Sequence, residues 1–300
     1  MTRFCATILR GWRQGQGQPA LKLPPKSGME CGTPFTPSIL GSRRQNAPIR
    51  RSENGSRRGW RQPKSQRRSL RLDMIRSADV RTDSEARSWE ARLNRERPQR
   101  KQVADWICSR INAASASSPR VVELACGAGF LAEILRRQLP GLRYCGLDLS
   151  PHLLECARRR LETVPGEQGI GSVMKFHCVN LVNDDWTAYL VKMGWEGNVD
   201  AVVSIQALHD LGELPQQKQV LEQARGLLRD GGLLAYGDLL YDAQSPHSSR
   251  YTLEEHEEML RSCGYSISGG SSTEGVVGDS GFEDYAAATF GEFGAFSCRK

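Results

Sequence analysis

The chain has 300 residues, enough for one or two domains with a sizeable core. Its formal net charge of +7 is uneven: residues 1–75 hold 16 Lys and Arg against 3 Asp and Glu, whereas residues 76–300 hold 25 against 31. The net acidic part argues against a nucleic-acid partner. No apolar run approaches the ~20 residues of a membrane helix, so we expect no membrane partner.

Residues 1–75 have the composition of a disordered basic extension, rich in Arg, Gln, Gly, Pro and Ser. Three interpretations remain open. The segment is a dispensable extension before a true start at Met74, an Arg-rich and acid-poor transit peptide, or a nucleic-acid-binding arm built on the arginines at 57, 58, 61, 67 and 68. Residues 76–300 are expected to form the folded domain.

The nine cysteines are scattered and include no C-x-x-C motif. We also expect no Cys/His pair at zinc-ligand spacing, and therefore no metal site. An odd number of cysteines without a framework predicts reduced thiols in a cytoplasmic protein.

Two helices are predicted ahead of the first strand, over residues 83–97 and 98–114. The second has four apolar residues on one face: Val103, Trp106, Ile107 and Ile111. On the first, Trp89 and Arg92 face either solvent or a ligand.

Residues 121–130 carry the strongest local signal in the chain. A short apolar strand that includes Glu123 is followed by residues with almost no side chain: Ala125, Cys126, Gly127, Ala128 and Gly129. A helix is predicted over 130–139, with apolar residues at helical spacing. Strand, glycine loop and helix start together predict a nucleotide-binding crevice at the carboxyl edge of a parallel sheet.

Two nucleotide classes use such a loop. Residues 127–132 fit G-x-G-x-x-A, the dinucleotide fingerprint, but Glu123 would repel a pyrophosphate. S-adenosylmethionine has an ammonium and no phosphate. The pattern Glu123-x-Ala125-x-Gly127-x-Gly129 resembles motif I of the class I S-adenosylmethionine-dependent methyltransferases, with Ala125 where glycine is usual.

The second strand is predicted over 142–148 and ends on Asp148, 21 residues after Gly127. A carboxylate there can accept both hydroxyls of a ribose. Ser150 is expected to cap the next helix, with Pro151 at its first position, which leaves Asp148 free. This region resembles motif II of the same family, which implies that Leu149 packs on the adenine.

Strands three and four are predicted over 174–180 and 200–205. After the third, the family often has an acid that binds the adenine amino group; this chain has Asn180 and Leu181, with Asp184 and Asp185 as alternatives. After the fourth, the resemblance places Ser204 to Gln206 near the methionine part of the cofactor. His209 is either a general base or a hydrogen-bonded histidine at a helix start.

The rest of the chain predicts a helix over 215–228, a strand over 233–236, and a helix that begins at the capping box Thr252-x-x-Glu255. The last two strands are predicted at 265–267 and 293–297, one of them antiparallel, with a flexible flap at 268–282. The expected fold is α/β and Rossmann-like: a doubly wound, mostly parallel seven-stranded sheet with an antiparallel last strand, in three αβα layers.

The resemblance covers about residues 98–300 and implies S-adenosyl-L-methionine as cofactor, with helices 83–97 and 98–114 over its pocket. It implies in-line methyl transfer to a small-molecule acceptor. Two alternatives remain: an RNA or protein methyltransferase that uses the basic arm, and a nicotinamide-dinucleotide-binding Rossmann protein.

Overall fold

The computed structural model describes residues 77–115, 117–164, 174–244, 248–267 and 284–300. The predictions for residues 1–75 and for the flap at 268–282 therefore lie outside the described residues. The helices are α1 (Asp83–Glu96), α2 (Arg100–Ala114), α3 (Phe130–Gln138), α4 (Pro151–Glu162), α5 (Thr187–Lys192), α6 (Leu214–Leu227) and α7 (Leu253–Ser262). The strands are β1 (Arg120–Leu124), β2 (Arg143–Asp148), β3 (Met174–Cys178), β4 (Val199–Ile205), β5 (Leu228–Leu239), β6 (Tyr285–Phe290) and β7 (Phe293–Arg299).

These strands form one sheet in the order β3-β2-β1-β4-β5-β7-β6. Strand β7 runs antiparallel to both of its neighbours, and the pairs among β1 to β5 are parallel. The strand order reverses between β1 and β4, so a crevice opens at the carboxyl ends of these two strands. The predicted sheet, with one antiparallel strand near its edge, is confirmed.

Two apolar cores lie on opposite faces of the sheet. Helices α2, α3 and α4 pack on one face, and α5, α6 and α7 pack on the other. Alternation along β1 divides its side chains between the two cores: Val121 belongs to the first and Val122 to the second. Both faces are therefore covered by helices, and the three-layer prediction is confirmed.

The prediction of a strand at 265–267 is wrong. Ser266 makes only an isolated antiparallel bridge to Arg299, and the sixth strand is Tyr285–Phe290, paired along its length with β7. The three alanines at the centre of its sequence, Tyr-Ala-Ala-Ala-Thr-Phe, have little intrinsic strand preference. The hairpin partner therefore supplies what the local sequence lacks.

Two element boundaries and one further helix differ from expectation. Helix α2 begins at Arg100 and not at Pro98. Residues 230–232 form a bulge inside a longer β5 and not a turn before it, since Val199 pairs with Leu228 and Ala201 with Leu233. Helix α5 was not predicted. Across the described residues, no helix is both long enough and apolar enough to cross a bilayer.

Candidate functional site

A cavity of about 540 Å³ lies at the carboxyl ends of β1, β2, β3 and β4. That volume falls within the range of small-molecule sites. The glycine loop (residues 125–129) forms one side, and α1 contributes Trp89, Arg92 and Leu93 to another. The crevice predicted from the sequence is therefore present, at the point where the strand order reverses.

The glycine loop turns on three residues with left-handed backbone angles: Ala125 (φ 52°), Gly127 (φ 54°) and Gly129 (φ 80°). A β-carbon at Gly127 would lie 3.4 Å from the Trp89 ring. Because Gly127 has no side chain, its backbone is exposed to this ring and to the cavity. A β-carbon at Gly129 would instead lie 3.0 Å from that of Ala157 on α4. Gly129 does not line the cavity, in contrast to its predicted cofactor contact; it lets α3 and α4 pack closely.

Asp148 lies in the cavity wall. The sequence had suggested that its carboxylate is free of local hydrogen bonds, but it is not. Its carboxylate accepts hydrogen bonds from the backbone N–H groups of Gly127 and Ser150, both at 2.8 Å. Ser150 caps α4 as predicted, accepting from the Leu153 N–H. Burial raises the pKa of Asp148, and the two N–H groups oppose that rise. The bonds fix the carboxylate in place, and each oxygen keeps a second lone pair.

Glu123 is a buried acid, 1% exposed, in the wall of the same cavity. The Tyr144 hydroxyl donates to its Oε2 at 2.6 Å. Burial raises the pKa of Glu123 to about 8, with the nearby Arg100 acting in the opposite direction. The acid is therefore largely neutral at pH 7 and ready to ionise beside a cation.

Arg100 is a wall residue that the sequence analysis missed. It is 6% exposed, its guanidinium lies 4.4 Å from the centre of the Phe130 ring, and its Nη1 donates to Asn94 Oδ1 at 2.8 Å. Burial lowers its pKa to about 10, which still leaves it charged. A signal was present: Arg100 begins the apolar stripe of α2, where a charged residue is out of place.

At the β3 end of the cavity, Leu149 is 56% exposed and Leu181 is buried, and both line it. Asn180 lines it too, but its Oδ1 already accepts from the N–H groups of Val182 and Asn183 at 3.0 and 3.1 Å. The predicted acceptor for an adenine amino group is thus engaged in a local turn. Asp184 and Asp185, the alternatives, are absent from the cavity wall and satisfy backbone groups nearby.

At the end of β4, Ser204 and Gln206 have different roles. Ser204 is buried outside the wall and donates to the Leu124 carbonyl at 3.0 Å, joining β4 to β1. Gln206 lines the cavity with a left-handed backbone (φ 57°), held by its N–H bond to Gly237 at 2.7 Å. Among the described residues, nothing hydrogen-bonds its buried Oε1. Strain and an orphaned acceptor in a wall residue are typical of a binding site.

His209 lies in a 3₁₀ turn, Leu208–Asp210, and lines the cavity. Its Nδ1 lies 2.6 Å from Oδ1 of Asp238, and its backbone N–H donates to Oδ2 at 2.8 Å. Burial lowers the pKa of His209, but the Asp238 carboxylate raises it more, so that the net shift is upward. The sequence missed Asp238 because the predicted strand stopped at Tyr236.

The carboxylate of Asp238 settles the tautomer of this histidine. Burial raises the pKa of Asp238, yet His209 lowers it further, so the acid stays ionised. An ionised carboxylate only accepts, and Nδ1 therefore carries the proton. In the neutral ring, Nε2 then holds the lone pair.

Helix α1 covers part of the cavity. Trp89 and Arg92 both line it, so the alternative of a wholly solvated face is wrong. The helix is tied to α4 by a bond from Arg160 to Glu90 and by two bonds from Arg159 to Asp83.

Outside the cavity lies a histidine–cysteine pair that the expectation of no metal site did not take into account. His152 and Cys156 lie one turn apart on α4, and together with Asp83 they bring three donor atoms within 4.8 Å of one another. Among the described residues this is the one such cluster identified.

Residues 122–234 match the family model of a methyltransferase domain. The chain is 31% identical over 138 residues to the malonyl-[acyl-carrier protein] O-methyltransferase of Magnetococcus marinus, covering 46% of this chain and 44% of that one. It is 29% identical over 133 residues to the demethylmenaquinone methyltransferase of Thermotoga maritima, covering 44% and 47%.

The matched part spans less than half the length of these curated relatives. Among solved structures, the S-adenosylmethionine-dependent methyltransferase SibL has a TM-score of 0.52 at 15% identity, over 77% of this chain and 61% of that one. At that identity the likeness concerns the fold.

Proposed function

Because the chain contains a methyltransferase domain of the class I S-adenosylmethionine-dependent family, we propose that it transfers a methyl group from this cofactor to a small-molecule acceptor in the cavity. One observation carries the proposal: two buried acids, Glu123 near the end of β1 and Asp148 at the end of β2, line the same cavity as the glycine loop. Glu123 can ionise beside a cation, which suits a cationic nucleoside, whereas a pyrophosphate beside it would keep the acid protonated and gain no attraction from it.

The wall residues fit the cofactor group by group. We assign the ribose hydroxyls to Asp148, whose carboxylate is already fixed by two N–H bonds. We assign the ammonium to Glu123, which can ionise beside it, and the carboxylate of the same amino acid moiety to the charged Arg100; both residues line the cavity. Leu149 and Leu181 supply apolar surface for the adenine, and Gln206 Oε1 is an acceptor in want of a donor.

The cofactor supplies a methyl group on a sulfonium, which is already activated for displacement. The protein then has to orient the acceptor and exclude water, and positioning accounts for most of the rate. An acceptor that bears a proton must also lose it. His209 lines the cavity with Nδ1–H held by Asp238, so its Nε2 is suited to take that proton.

This pair favours an acceptor that must be deprotonated: a hydroxyl, an amine or a carbon acid. A second candidate is O-methylation of a carboxylate, which needs no base. The observation in its favour is that Arg92 and Arg97 also line the cavity and would attract an acidic acceptor. A malonyl group, as in the name of one relative's substrate, presents such a carboxylate.

An acceptor panel with methyl-labelled cofactor tests the proposal and separates the two candidates. With proton-bearing acceptors, His209→Asn should lower kcat at least ~100-fold, because a positioned base contributes about that much. The matched control is His177→Asn. The ring of His177 stacks on that of Tyr189 outside the cavity wall, with 3.9 Å between the ring centres. Its replacement should leave kcat unchanged.

If His209→Asn has full activity on the best acceptor and that acceptor is a carboxylate, the second candidate replaces the first. If no acceptor is labelled and the cofactor does not bind, the proposed function is wrong.

A further inference from the structure

We propose that Asp83, His152 and Cys156 form a binding site for a zinc-type divalent cation that joins α1 to α4. The site lies outside the cavity wall and does not depend on the proposed function. Asp83 is in the first turn of α1, and the other two residues are in α4. Their donor atoms all lie within 4.8 Å of one another.

Two of the three donor separations are close to those of a tetrahedral site, and the third is at most 4.8 Å. Oδ1 of Asp83 lies 3.4 Å from Nε2 of His152 and 3.8 Å from Sγ of Cys156. With metal bonds of about 2.0 Å to nitrogen or oxygen and 2.3 Å to sulfur, neighbouring donors of a tetrahedron are roughly 3.3–3.5 Å apart. Shifts of a few tenths of an ångström would therefore bring these pairs to that separation.

His152 provides an independent sign of a ligand. Its Nε2 is buried and has no hydrogen bond among the described residues, since its contact with Asp83 lacks hydrogen-bond geometry. A buried polar atom without a hydrogen bond requires an explanation, and a cation between the two groups supplies one.

Arg159 supports the site. Its guanidinium donates to both oxygens of Asp83, at 2.6 and 3.0 Å, and holds the carboxylate beside the imidazole and the thiol. Each oxygen keeps a lone pair for a metal, and ligating carboxylates commonly accept such outer hydrogen bonds. Burial and the Asp83 charge raise the pKa of Cys156, so metal binding must release the thiol proton.

The donor set selects the class of ion. Imidazole nitrogen and thiolate sulfur suit Zn²⁺, whereas Mg²⁺ and Ca²⁺ take oxygen ligands. Three protein ligands leave a fourth position for water. Because α1 also carries Trp89 against the glycine loop, the ion would secure the helix that covers the cavity.

The full-length protein, treated with a chelator and titrated with Co²⁺, tests the site by a spectroscopic signature. We expect one ion per chain with a sulfur-to-cobalt charge-transfer band. Cys156→Ser should abolish the band and His152→Ala should weaken binding at least tenfold. The control Cys178→Ser changes an exposed cysteine outside the cluster and should keep the band. A band that survives in Cys156→Ser would overturn the proposal.

A second measurement uses the unaltered protein, so it does not depend on a variant that folds. Zn²⁺ should slow alkylation of Cys156 at least tenfold and leave that of Cys178 unchanged, as followed by peptide mass spectrometry. Equal rates at Cys156 with and without Zn²⁺ would also overturn the proposal.

Discussion

Glu123 is an acid whose charge depends on what lies beside it. With a pKa of about 8, it is largely protonated at pH 7 in the free protein. A cationic ammonium placed against it favours the ionised form and lowers that pKa. Cofactor binding is therefore coupled to release of a proton, and the affinity should rise with pH up to about 8.

We predict that S-adenosylhomocysteine, which keeps the ammonium, releases close to one proton on binding at pH 7. Calorimetry in buffers of different ionisation enthalpy measures this number. Glu123→Gln should remove the proton release and weaken binding by about tenfold, because a neutral amide replaces the carboxylate. The same proton release from the variant would exclude Glu123 as the partner of the ammonium.

Asp238 acts on His209 in two ways: it holds Nδ1–H and raises the pKa of the ring against the effect of burial. A base must be neutral, so the wild-type kcat should rise with pH through a value above 6.5. In Asp238→Asn the pKa should fall, and the rising limb should move to lower pH. The plateau should drop by about 10²- to 10⁴-fold, because Nδ1–H loses its charged acceptor. A pH–rate profile decides the matter, and an unshifted limb would show that Asp238 does not tune the base.

At the scale of elements, the glycine loop also determines how closely α3 and α4 pack. Gly129 combines a left-handed backbone with a close approach to Ala157, whereas Gly194 has a left-handed backbone (φ 70°) with nothing within 4 Å. Gly194→Ala should cost about 1–2 kcal/mol of unfolding free energy from strain alone. Gly129→Ala should cost about 1–3 kcal/mol more, from overpacking. Urea denaturation of both variants measures the difference, and equal losses would mean that α4 moves aside freely.

Elements with strong local patterns were predictable. The strand, loop and helix around the glycine loop, and β2 with its capped helix, follow from apolar spacing, small residues and a Ser-Pro start. Strand β6 was not predictable, because its alanines form a strand only by pairing with β7. Asp238 was not predicted as a site residue, because Gly237 before it looks like the end of the strand.

Gly237 is in fact a place where two elements meet. A β-carbon there would lie 2.2 Å from Cγ1 of Val103 on α2, so only glycine allows this helix to pack on β5. No local pattern distinguishes such a contact from a turn. The same holds for Arg100, whose role depends on a cavity wall built by several segments that are distant in sequence.

At the scale of the whole molecule, the sheet topology determines where chemistry is possible. Glu123, Asp148 and His209 are distant in sequence but lie around one cavity, because β1, β2 and β4 end at the same edge. The sequence predicted this convergence, since parallel strands bring their carboxyl ends together. It did not predict which residues contact the cavity. Ser204 and the Asn180 oxygen form hydrogen bonds with the backbone instead, and Gly129 packs against α4.

We expect the crevice that Glu123 and Asp148 line to accept a sulfonium nucleoside and to reject a dinucleotide. Calorimetric titration with S-adenosylhomocysteine and with NADH tests it directly. We predict micromolar affinity, about −8 kcal/mol, for the first and no detectable binding of the second. Asp148→Asn should weaken the first at least tenfold. The control Asp200→Asn, which changes an acid paired with Arg229 outside the cavity wall, should not. If NADH bound and S-adenosylhomocysteine did not, the crevice would be a dinucleotide site, contrary to our expectation.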